Sequence, residues 1–344
     1  MTAEELFRGR LIMAPMTRGT DLPFRLLANE WGALVCSGEM AYAHRTGPRD
    51  RGDLPLLRRH PSEPSFGVQL AGKVPEVMAE AAKVAESQGA DFVDVNCGCP
   101  IDEVTRRGFG ASLLQRPSKI AAIVTAMKAA VTIPVTIKLR LGWSEGEDAY
   151  LKIARAAVGA GVDAITLHAR SRAQRYRRPA NWDHVKTLVG EVNVPVIGNG
   201  DIFTWRDAKR RMEETGCASV MVGRWALAKP WLFREFAEQR DIELSPDERL
   251  AVVRRYVELC RGYFRDDEKG RARTRRFLVF HQDFFRRYRR NAVQEPESGL
   301  EAWLCRSDLP GVTALSRWLV DGEEVEPPPL DPYAVRAVKV AASG

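Results

Sequence analysis

Short runs of aliphatic and β-branched residues recur between residues 10 and 223, and stretches with helical periodicity lie between most of them. Eight runs have the length of a strand: 10–16, 33–40, 65–71, 92–96, 135–141, 164–170, 194–199 and 219–223. The clearest helical stretches are 74–88, 117–131, 148–160 and 205–215. Parallel strands need long crossover connections, which helices usually supply. Eight strands joined in this way predict an α/β fold, a closed parallel (β/α)8 TIM barrel.

An open doubly wound sheet is the alternative arrangement of alternating strands and helices. In that fold a glycine-rich fingerprint follows the first strand and binds a dinucleotide. Here residues 14–17 read Ala-Pro-Met-Thr, without a glycine, so the barrel is favoured. We therefore expect a barrel domain over residues 1–240. A smaller all-helical domain over 245–325, beginning near Ser245, and a tail over 326–344 would follow it.

Charge and cysteine content restrict the class of protein. The 344 residues include 52 Lys and Arg against 45 Asp and Glu, a net charge of +7, so the distribution of the charge decides whether an anionic partner binds. Six cysteines without the spacing of a disulfide framework predict free thiols and a cytoplasmic location. Cys/His pairs with zinc-finger spacing and bilayer-spanning apolar stretches are both missing, so we expect neither a metal site nor a membrane anchor.

Polar side chains occupy the inner positions of several predicted strands. In the strand 135–141 the aliphatic residues alternate with Thr136, Lys138 and Arg140, which would point into the barrel. The same alternation places three more polar residues on inner faces near the ends of their strands: Gln69, Asn96 and His168. Active sites of these barrels lie at the C-terminal rim. Two inward cations there indicate an anionic or polar ligand.

Glycine-rich turns follow the seventh and eighth predicted strands. The first reads Gly-Asn-Gly-Asp at residues 198–201, and the second is Gly223-Arg224. Loops at these strand ends commonly bind phosphate, because glycine lets backbone N–H groups approach an anion and arginine adds a charged donor. A phosphate close to Lys138 and Gln69 favours a phosphorylated flavin as the ligand.

Two cysteines flank a glycine directly after the strand 92–96. Cys97 ends the apolar run, whereas Cys99 lies between Gly98 and Pro100, where the chain has left regular pairing. Free cysteine is often simply buried, and we expect that of Cys97. We expect Cys99 to face a cleft and to take part in chemistry.

Taken in order, the motifs of residues 10–235 resemble those of the tRNA-dihydrouridine synthases. The motifs that carry the resemblance are Ala14-Pro15-Met16, Val68-Gln69-Leu70, Asn96-x-Gly98-Cys99-Pro100, Gly108-x-Gly110 with Leu113-Leu114, Lys138-x-Arg140-x-Gly142, His168-x-Arg170, Asn199-Gly200-Asp201 and Gly223-Arg224. The resemblance implies an FMN enzyme that reduces a uridine base of RNA with NADPH. Three positions depart from the family's usual pattern: Phe109, Ala169 and Gly198.

The resemblance also implies a role for each matching position. Residues beside the flavin ring would be Pro15, Met16 and Thr17, and those at its polar edge Gln69 and Lys138. Residues that hold the ring, the ribityl chain and the phosphate would be His168, Asn199, Gly200, Asp201, Gly223 and Arg224. Asn96 would contact the uracil, and Cys99 would be the general acid. A thiol with its ordinary pKa is mostly protonated at neutral pH, so it can donate a proton without special tuning.

Arginine clusters indicate where RNA would bind. Arginines from 170 to 178 and at 106 and 107 lie on the expected rim without local acids, and a second cluster spans residues 271–290 with Asp283 as its one acid. Phosphate contact is the preferred interpretation. The residues assigned to substrate are Asn96, Arg140, Arg170, Arg286 and Arg287, with Arg289 and Arg290 on the same helix. The target nucleotide would have to leave its stack to reach a flavin.

Two other functions remain open at this stage. One is a flavin barrel that reduces a small molecule, similar to dihydroorotate or dihydropyrimidine dehydrogenases or to an ene-reductase, although such a substrate has no use for the arginine-rich helices. The other is a non-catalytic RNA-binding or folding-assistance protein on the same scaffold. For the synthase we expect a monomer acting on tRNA, with ribosomal RNA as an open alternative and the modified position undetermined.

Overall fold

The computed structural model describes residues 1–287, 303–304 and 309–324, and its centre is a closed parallel barrel. The strands are β1 Leu11–Met13, β2 Val35–Ser37, β3 Ala41–Tyr42, β4 Phe66–Ala71, β5 Phe92–Cys97, β6 Val135–Arg140, β7 Ala164–His168, β8 Val196–Asn199 and β9 Ser219–Val222. Pairing of β1 with β9 and of β2 with β4 closes the ring. The short strands β2 and β3 pair with successive parts of β4 and together occupy one position of the ring. The nine strands therefore make an eight-position barrel, and the predicted fold is confirmed.

Helices fill the crossover connections and form the C-terminal region. They are α1 Ala3–Phe7, α2 Leu22–Glu30, α3 Pro75–Ser87, α4 Asp102–Arg106, α5 Pro117–Lys128, α6 Ala149–Gly159, α7 Asp183–Glu191, α8 Trp205–Thr215, α9 Arg224–Ala228, α10 Leu232–Glu238, α11 Pro246–Phe264, α12 Glu268–Phe285 and α13 Leu309–Asp321. Three 3-10 turns span Ala43–Arg45, Leu54–Leu57 and Gly110–Gln115. Capping boxes begin α8 at Thr204 and α11 at Ser245, so the predicted start of the C-terminal helices is correct.

The floor of the barrel is closed by apolar side chains. Phe7 of α1 lies edge-on against Phe92 at a ring distance of 5.1 Å, and the two belong to an apolar cluster inside the barrel. Gly67 of β4 faces Phe92, because a Cβ at this glycine would lie only 2.0 Å from Cζ of the ring. The barrel is therefore packed at its N-terminal end, and side chains can enclose a ligand only toward the C-terminal ends of the strands.

We expect Gly67→Ala to lower the free energy of unfolding by about 1–3 kcal/mol, since the added methyl group overpacks the floor against Phe92. The matched control is Gly190→Ala in α7, where nothing lies within 4 Å of the added Cβ. That change should leave stability unaltered or raise it by up to about 1 kcal/mol. Urea unfolding of both variants makes the comparison, and equal midpoints would contradict the packing described for Phe92.

The C-terminal helices pack directly against the barrel. The hydroxyl of Tyr256 on α11 donates to Asp21 Oδ2 at 3.1 Å, and His281 on α12 stacks on Phe24 at 4.5 Å. Side chains of α11 and α12 belong to the same buried cluster as the outer face of the barrel. Helices thus occupy the described part of residues 245–325, and a domain boundary near residue 245 stays a prediction. The tail at 326–344 lies outside the described residues.

Within the described ranges, no helix is both long and apolar enough to cross a bilayer.

Candidate active site

A cavity of about 400 Å³ opens at the C-terminal ends of the barrel strands. Of the residues that the sequence assigned to cofactor or catalysis, those lining it are Pro15, Met16, Thr17, Gln69, Cys99, Lys138, His168, Asn199, Gly200, Asp201, Gly223 and Arg224. Of the residues assigned to substrate, those lining it are Asn96, Arg140, Arg170 and Arg287. Arg286 does not line the cavity, and Arg289 and Arg290 lie outside the described residues. The fold therefore brings together side chains from seven barrel strands or the loops that follow them.

A chain of hydrogen bonds crosses the cavity floor from β6 to the cysteine loop. Asp94 accepts from Thr136 Oγ1 and from Gln69 Nε2, both at 2.7 Å. Asn96 Nδ2 donates to Gln69 Oε1 at 2.7 Å, and Asn96 Oδ1 accepts from the backbone N–H of Cys99 at 2.9 Å. Each amide thus has one fixed orientation, because its oxygen and its nitrogen have different partners. The chain anchors the backbone of Cys99 to the centre of the barrel.

Asp94 was not among the sequence-predicted site residues. It is buried, and burial raises the pKa of its carboxyl, while the hydrogen bonds from Gln69 and Thr136 and the charge of Lys138 act in the opposite direction. The signal that could have found it is its inward position on β5, two residues before Asn96. A buried carboxylate beneath a cationic side chain is unusual enough in a barrel interior to indicate a role in the site.

The two cysteines of the loop have different surroundings. Cys97 is fully buried in the main core, as expected. Cys99 lines the cavity and packs near Met40 and Tyr42. Burial raises the pKa of the Cys99 thiol, and the charges of Arg140 and Lys138 only partly oppose this. Cys99 is therefore a protonated thiol at neutral pH, with access to the cavity.

Gly110 allows the loop to close over Cys99. It has a left-handed φ of 58°, and a Cβ on it would lie 2.8 Å from the carbonyl oxygen of Cys99. The N–H of Ala111 donates to that same carbonyl at 3.0 Å. The Gly-x-Gly motif is thus explained by close backbone packing against the cysteine.

Lys138 and His168 form a polar wall on the two strands that follow the cysteine loop around the barrel. Lys138 Nζ donates to Asn199 Oδ1 at 2.9 Å, and Asn199 Nδ2 donates to the carbonyl of Met221 at 2.8 Å. Burial and the nearby charge of Arg140 lower the pKa of Lys138. Burial and the surrounding cations also hold the pKa of His168 well below its usual range, so its imidazole is neutral at pH 7.

Arg140 is fixed in the upper wall by backbone carbonyls. Its guanidinium donates to the carbonyls of Gly98, Ser171 and Arg175 at 2.9, 3.1 and 3.2 Å. Tyr176, which sequence reasoning did not single out, places its ring 5.5 Å from this guanidinium and 4.2 Å from that of Arg224. Its signal in the sequence is an aromatic residue inside a run of arginines. The exposed Tyr176 ring forms part of the mouth of the cavity.

Arg170 is placed differently from the expectation of a rim residue that contacts RNA. It is 3% exposed, and its Nη2 donates to both carboxylate oxygens of Asp201 at 2.7 and 2.6 Å. Its Nε donates to the carbonyl of Arg178 at 2.5 Å. Arg170 therefore joins the loops after β7 and β8 and has no free charge for a phosphate.

Three further arginines of this loop are paired as well, although the loop itself contains no acid. Acids from other loops supply the partners: Arg172 and Arg175 pair with Asp102 at 2.8 and 3.6 Å, and Arg178 pairs with Glu145 at 3.1 Å. These acids are distant along the chain, so local composition did not reveal them. Much of the positive charge in the loop 170–178 is thus compensated.

Gly198, one of the departures from the family pattern, packs against Trp182. A Cβ at Gly198 would lie 2.2 Å from the indole ring, and the Trp182 Nε1–H donates to the carbonyl of Gly200 at 3.0 Å. The missing side chain thus makes room for an indole that supports the loop after β8. No group of three or more His, Cys, Asp or Glu suited to a metal ion occurs in the part of the chain that the structure describes.

The fold and the site define a class: parallel (β/α)8 barrels with a cavity lined by polar and cationic side chains at the C-terminal rim. The sequence model of the family "Dihydrouridine synthase (Dus)" matches residues 12–301. The chain belongs to this family. Solved structures with a similar fold include histamine dehydrogenase from Rhizobium sp. 4-9, with a TM-score of 0.55 and 18% identity over 73% of this chain and 49% of that one. Another is 2-naphthoyl-CoA reductase, with a TM-score of 0.54 and 14% identity over 67% and 50%.

Curated relatives carry a more specific name. The tRNA-dihydrouridine(47) synthase [NAD(P)(+)] of Coprinopsis cinerea is 39% identical over 297 residues, which are 82% of this chain and 44% of the relative. The human tRNA-dihydrouridine(47) synthase [NAD(P)(+)]-like protein is 39% identical over 283 residues, again 82% and 44%. The chain thus spans less than half the length of these relatives.

Proposed function

We propose that this chain is an FMN-dependent tRNA-dihydrouridine synthase, which reduces the C5–C6 double bond of a uridine in tRNA with NAD(P)H. The observation that carries the proposal is the hydrogen-bond chain through Asn96, which fixes Cys99 over the same cavity that Lys138 and the glycine turns after β8 and β9 line. Family membership and the names of the curated relatives support the activity and the substrate.

The side chains present fit a phosphorylated flavin. The cavity of about 400 Å³ has the size of a small-molecule site, and its wall combines apolar residues with a few fixed polar groups. Gly200 lines the cavity with a φ of 127°, and a Cβ there would lie 2.7 Å from Ala180, so the position requires glycine. Lys138 would hold the polar edge of the ring, and Gly223 with Arg224 the phosphate. Bound FMN, reduced by NADPH, would supply the hydride.

The thiol of Cys99 supplies the proton in this proposal. A uracil double bond that receives a hydride at one carbon needs a proton at the neighbouring carbon, and the Sγ–H of Cys99 is the donor that faces the cavity. Its raised pKa keeps it protonated at the pH of the reaction. Asn96 holds the cysteine loop through the backbone of Cys99 and would contact the base after exchanging one of its present hydrogen bonds.

The partner we propose is tRNA, with the C-terminal helices at 245–325 as part of its binding surface. A monomer stays our expectation for the oligomeric state. The names of the relatives specify position 47 of tRNA, so the uridine at this position is the first to test as the substrate. The free thiols of the described cysteines keep a cytoplasmic location as our expectation.

The test combines flavin analysis with mapping of the product. The purified protein should be yellow and should form dihydrouridine in tRNA from cells that lack this modification, when NADPH is present. Unmodified ribosomal RNA, free uracil and a simple enone are the comparison substrates. Turnover of uracil or the enone with none on either RNA would favour the small-molecule reductase, and flavin binding without any turnover would favour the non-catalytic alternative.

A further inference from the structure

The end of α12 reaches into the cavity beside Arg224. Helix α12 packs against α9, which begins at Arg224. Arg287 is the second residue after the end of α12 and lines the cavity. Asp283 holds the Arg287 guanidinium, because Nη2 donates to Asp283 Oδ2 at 2.6 Å and Nε donates to the Asp283 carbonyl at 2.9 Å. The guanidinium also lies 4.6 Å from the ring of Phe284. Its position is therefore set before any ligand binds.

This end of the cavity has an excess of positive charge. Among the residues that the structure describes, Arg224 makes no ion pair or hydrogen bond through its guanidinium, and it contacts the face of Tyr176. Asp283 is shared between Arg286 and Arg287, so one carboxylate compensates one of these two cations. The two arginines that face the cavity here are Arg224 and Arg287, and the carboxylate that contacts Arg287 is shared with a residue outside the cavity, so a phosphate monoester would match the positive charge that remains.

We propose that Arg287 and Arg224 together form the binding site for the phosphate of the flavin. The inference rests on the proposed function and deepens it, since it moves Arg287 from the RNA surface to the cofactor. Gly200 and Gly223, the turns expected at a barrel phosphate site, line the same cavity as Arg287. Arg286, the next residue along, shares Asp283 but does not reach the cavity. The helical region would then complete the cofactor site as well as contact RNA.

The pair Arg286 and Arg287 offers a matched experiment. Three apoproteins are compared: the unaltered protein, Arg287→Ala and Arg286→Ala. Each is titrated with FMN and with riboflavin, which lacks the phosphate. The quenching of flavin fluorescence gives the dissociation constant of each flavin. A charged hydrogen bond to phosphate should make Arg287→Ala bind FMN about tenfold more weakly or worse, with riboflavin binding unchanged. Arg286→Ala should bind both flavins as the unaltered protein does.

Each other outcome overturns the inference in a recognisable way. An equal loss of FMN and riboflavin affinity in Arg287→Ala would mean that the residue only supports packing, which thermal unfolding of the variant would also register. Unchanged FMN affinity with weaker, less salt-dependent tRNA binding would return Arg287 to the RNA surface. If the unaltered protein binds neither flavin, the proposed function itself fails. If it binds both flavins equally, only the phosphate site fails.

Discussion

Cys99→Ala should lower the rate of dihydrouridine formation by about 10²- to 10⁴-fold, the usual contribution of a positioned general acid. The thiol is the proton donor assigned to the cavity. Its replacement removes the hydrogen bond from the Ile101 backbone N–H to the sulfur but keeps the bond from the Cys99 backbone N–H to Asn96. Flavin content and the rate at which NADPH reduces the flavin should therefore stay close to those of the unaltered protein. Single-turnover assays on tRNA, with flavin absorbance as the second signal, measure the two steps separately.

Cys97→Ala is the control for this prediction. Cys97 lies two residues away in the same loop but is fully buried in the core, so its replacement should cost some stability and leave the chemical step intact. Equal losses of product in the two variants would show that the loop, not the thiol of Cys99, governs the rate. Full activity of Cys99→Ala would remove the general-acid assignment.

The pH dependence follows from the same thiol. The acid must be protonated to act, so the single-turnover rate should be flat through neutral pH and fall as the pH rises through the pKa of Cys99. Because burial raises that pKa, the fall should begin above the ordinary range of a cysteine, which is centred near about 8.5. In Cys99→Ala this alkaline fall should be absent. A fall centred below pH 8 would contradict a buried, neutral thiol.

Strand alternation predicted the inner wall of the barrel correctly because it depends on local geometry alone. Side chains of a strand point to opposite faces in turn, so the aliphatic residues of β6 identify Lys138 and Arg140 as inward without any knowledge of partners. The short strand β3 was not predicted, because its two residues carry no alternation that a sequence pattern could reveal.

Ion pairs between loops could not be predicted from the sequence, because they depend on the tertiary fold and not on local geometry. Arg172 meets Asp102 although 70 positions separate them, and only the closure of the barrel brings the two loops together. The same holds for Arg286 and Arg287, which share a helix end and an acid in the sequence. Which of them faces the cavity depends on the rotation of α12 against α9, and tertiary packing sets this rotation.

Asp201→Asn is expected to be the most destabilising change at the site, at about 3–5 kcal/mol, because it leaves the charge of Arg170 buried without a counter-ion. The Arg170 side chain is 4% exposed, and both carboxylate oxygens of Asp201 contact it. Asparagine tolerates the left-handed φ of 53° at this position, so the backbone need not change. Urea unfolding of the apoprotein measures the loss.

An exposed ion pair of the same chemistry provides the control. Arg206 contacts both carboxylate oxygens of Asp241 at 2.7 and 2.8 Å, but the two side chains are 59% and 52% exposed. Asp241→Asn should therefore change stability by no more than about 1 kcal/mol. Similar losses in Asp201→Asn and Asp241→Asn would contradict the distinction between a buried and an exposed pair.

The double variant Arg170→Met with Asp201→Asn separates charge from shape. Removing both charges should restore much of the stability that Asp201→Asn loses, since neither member of the pair is left as a buried ion without its partner. Flavin binding should be weaker in the double variant than in the unaltered protein, because Arg170 also contacts His168 at 3.3 Å and Asp201 accepts the N–H of Ala180 at 2.7 Å. If Arg170 instead bound RNA through a free charge, the double variant would show a smaller salt dependence of tRNA affinity. We expect that dependence to be unchanged, because the charge of Arg170 is already compensated within the fold.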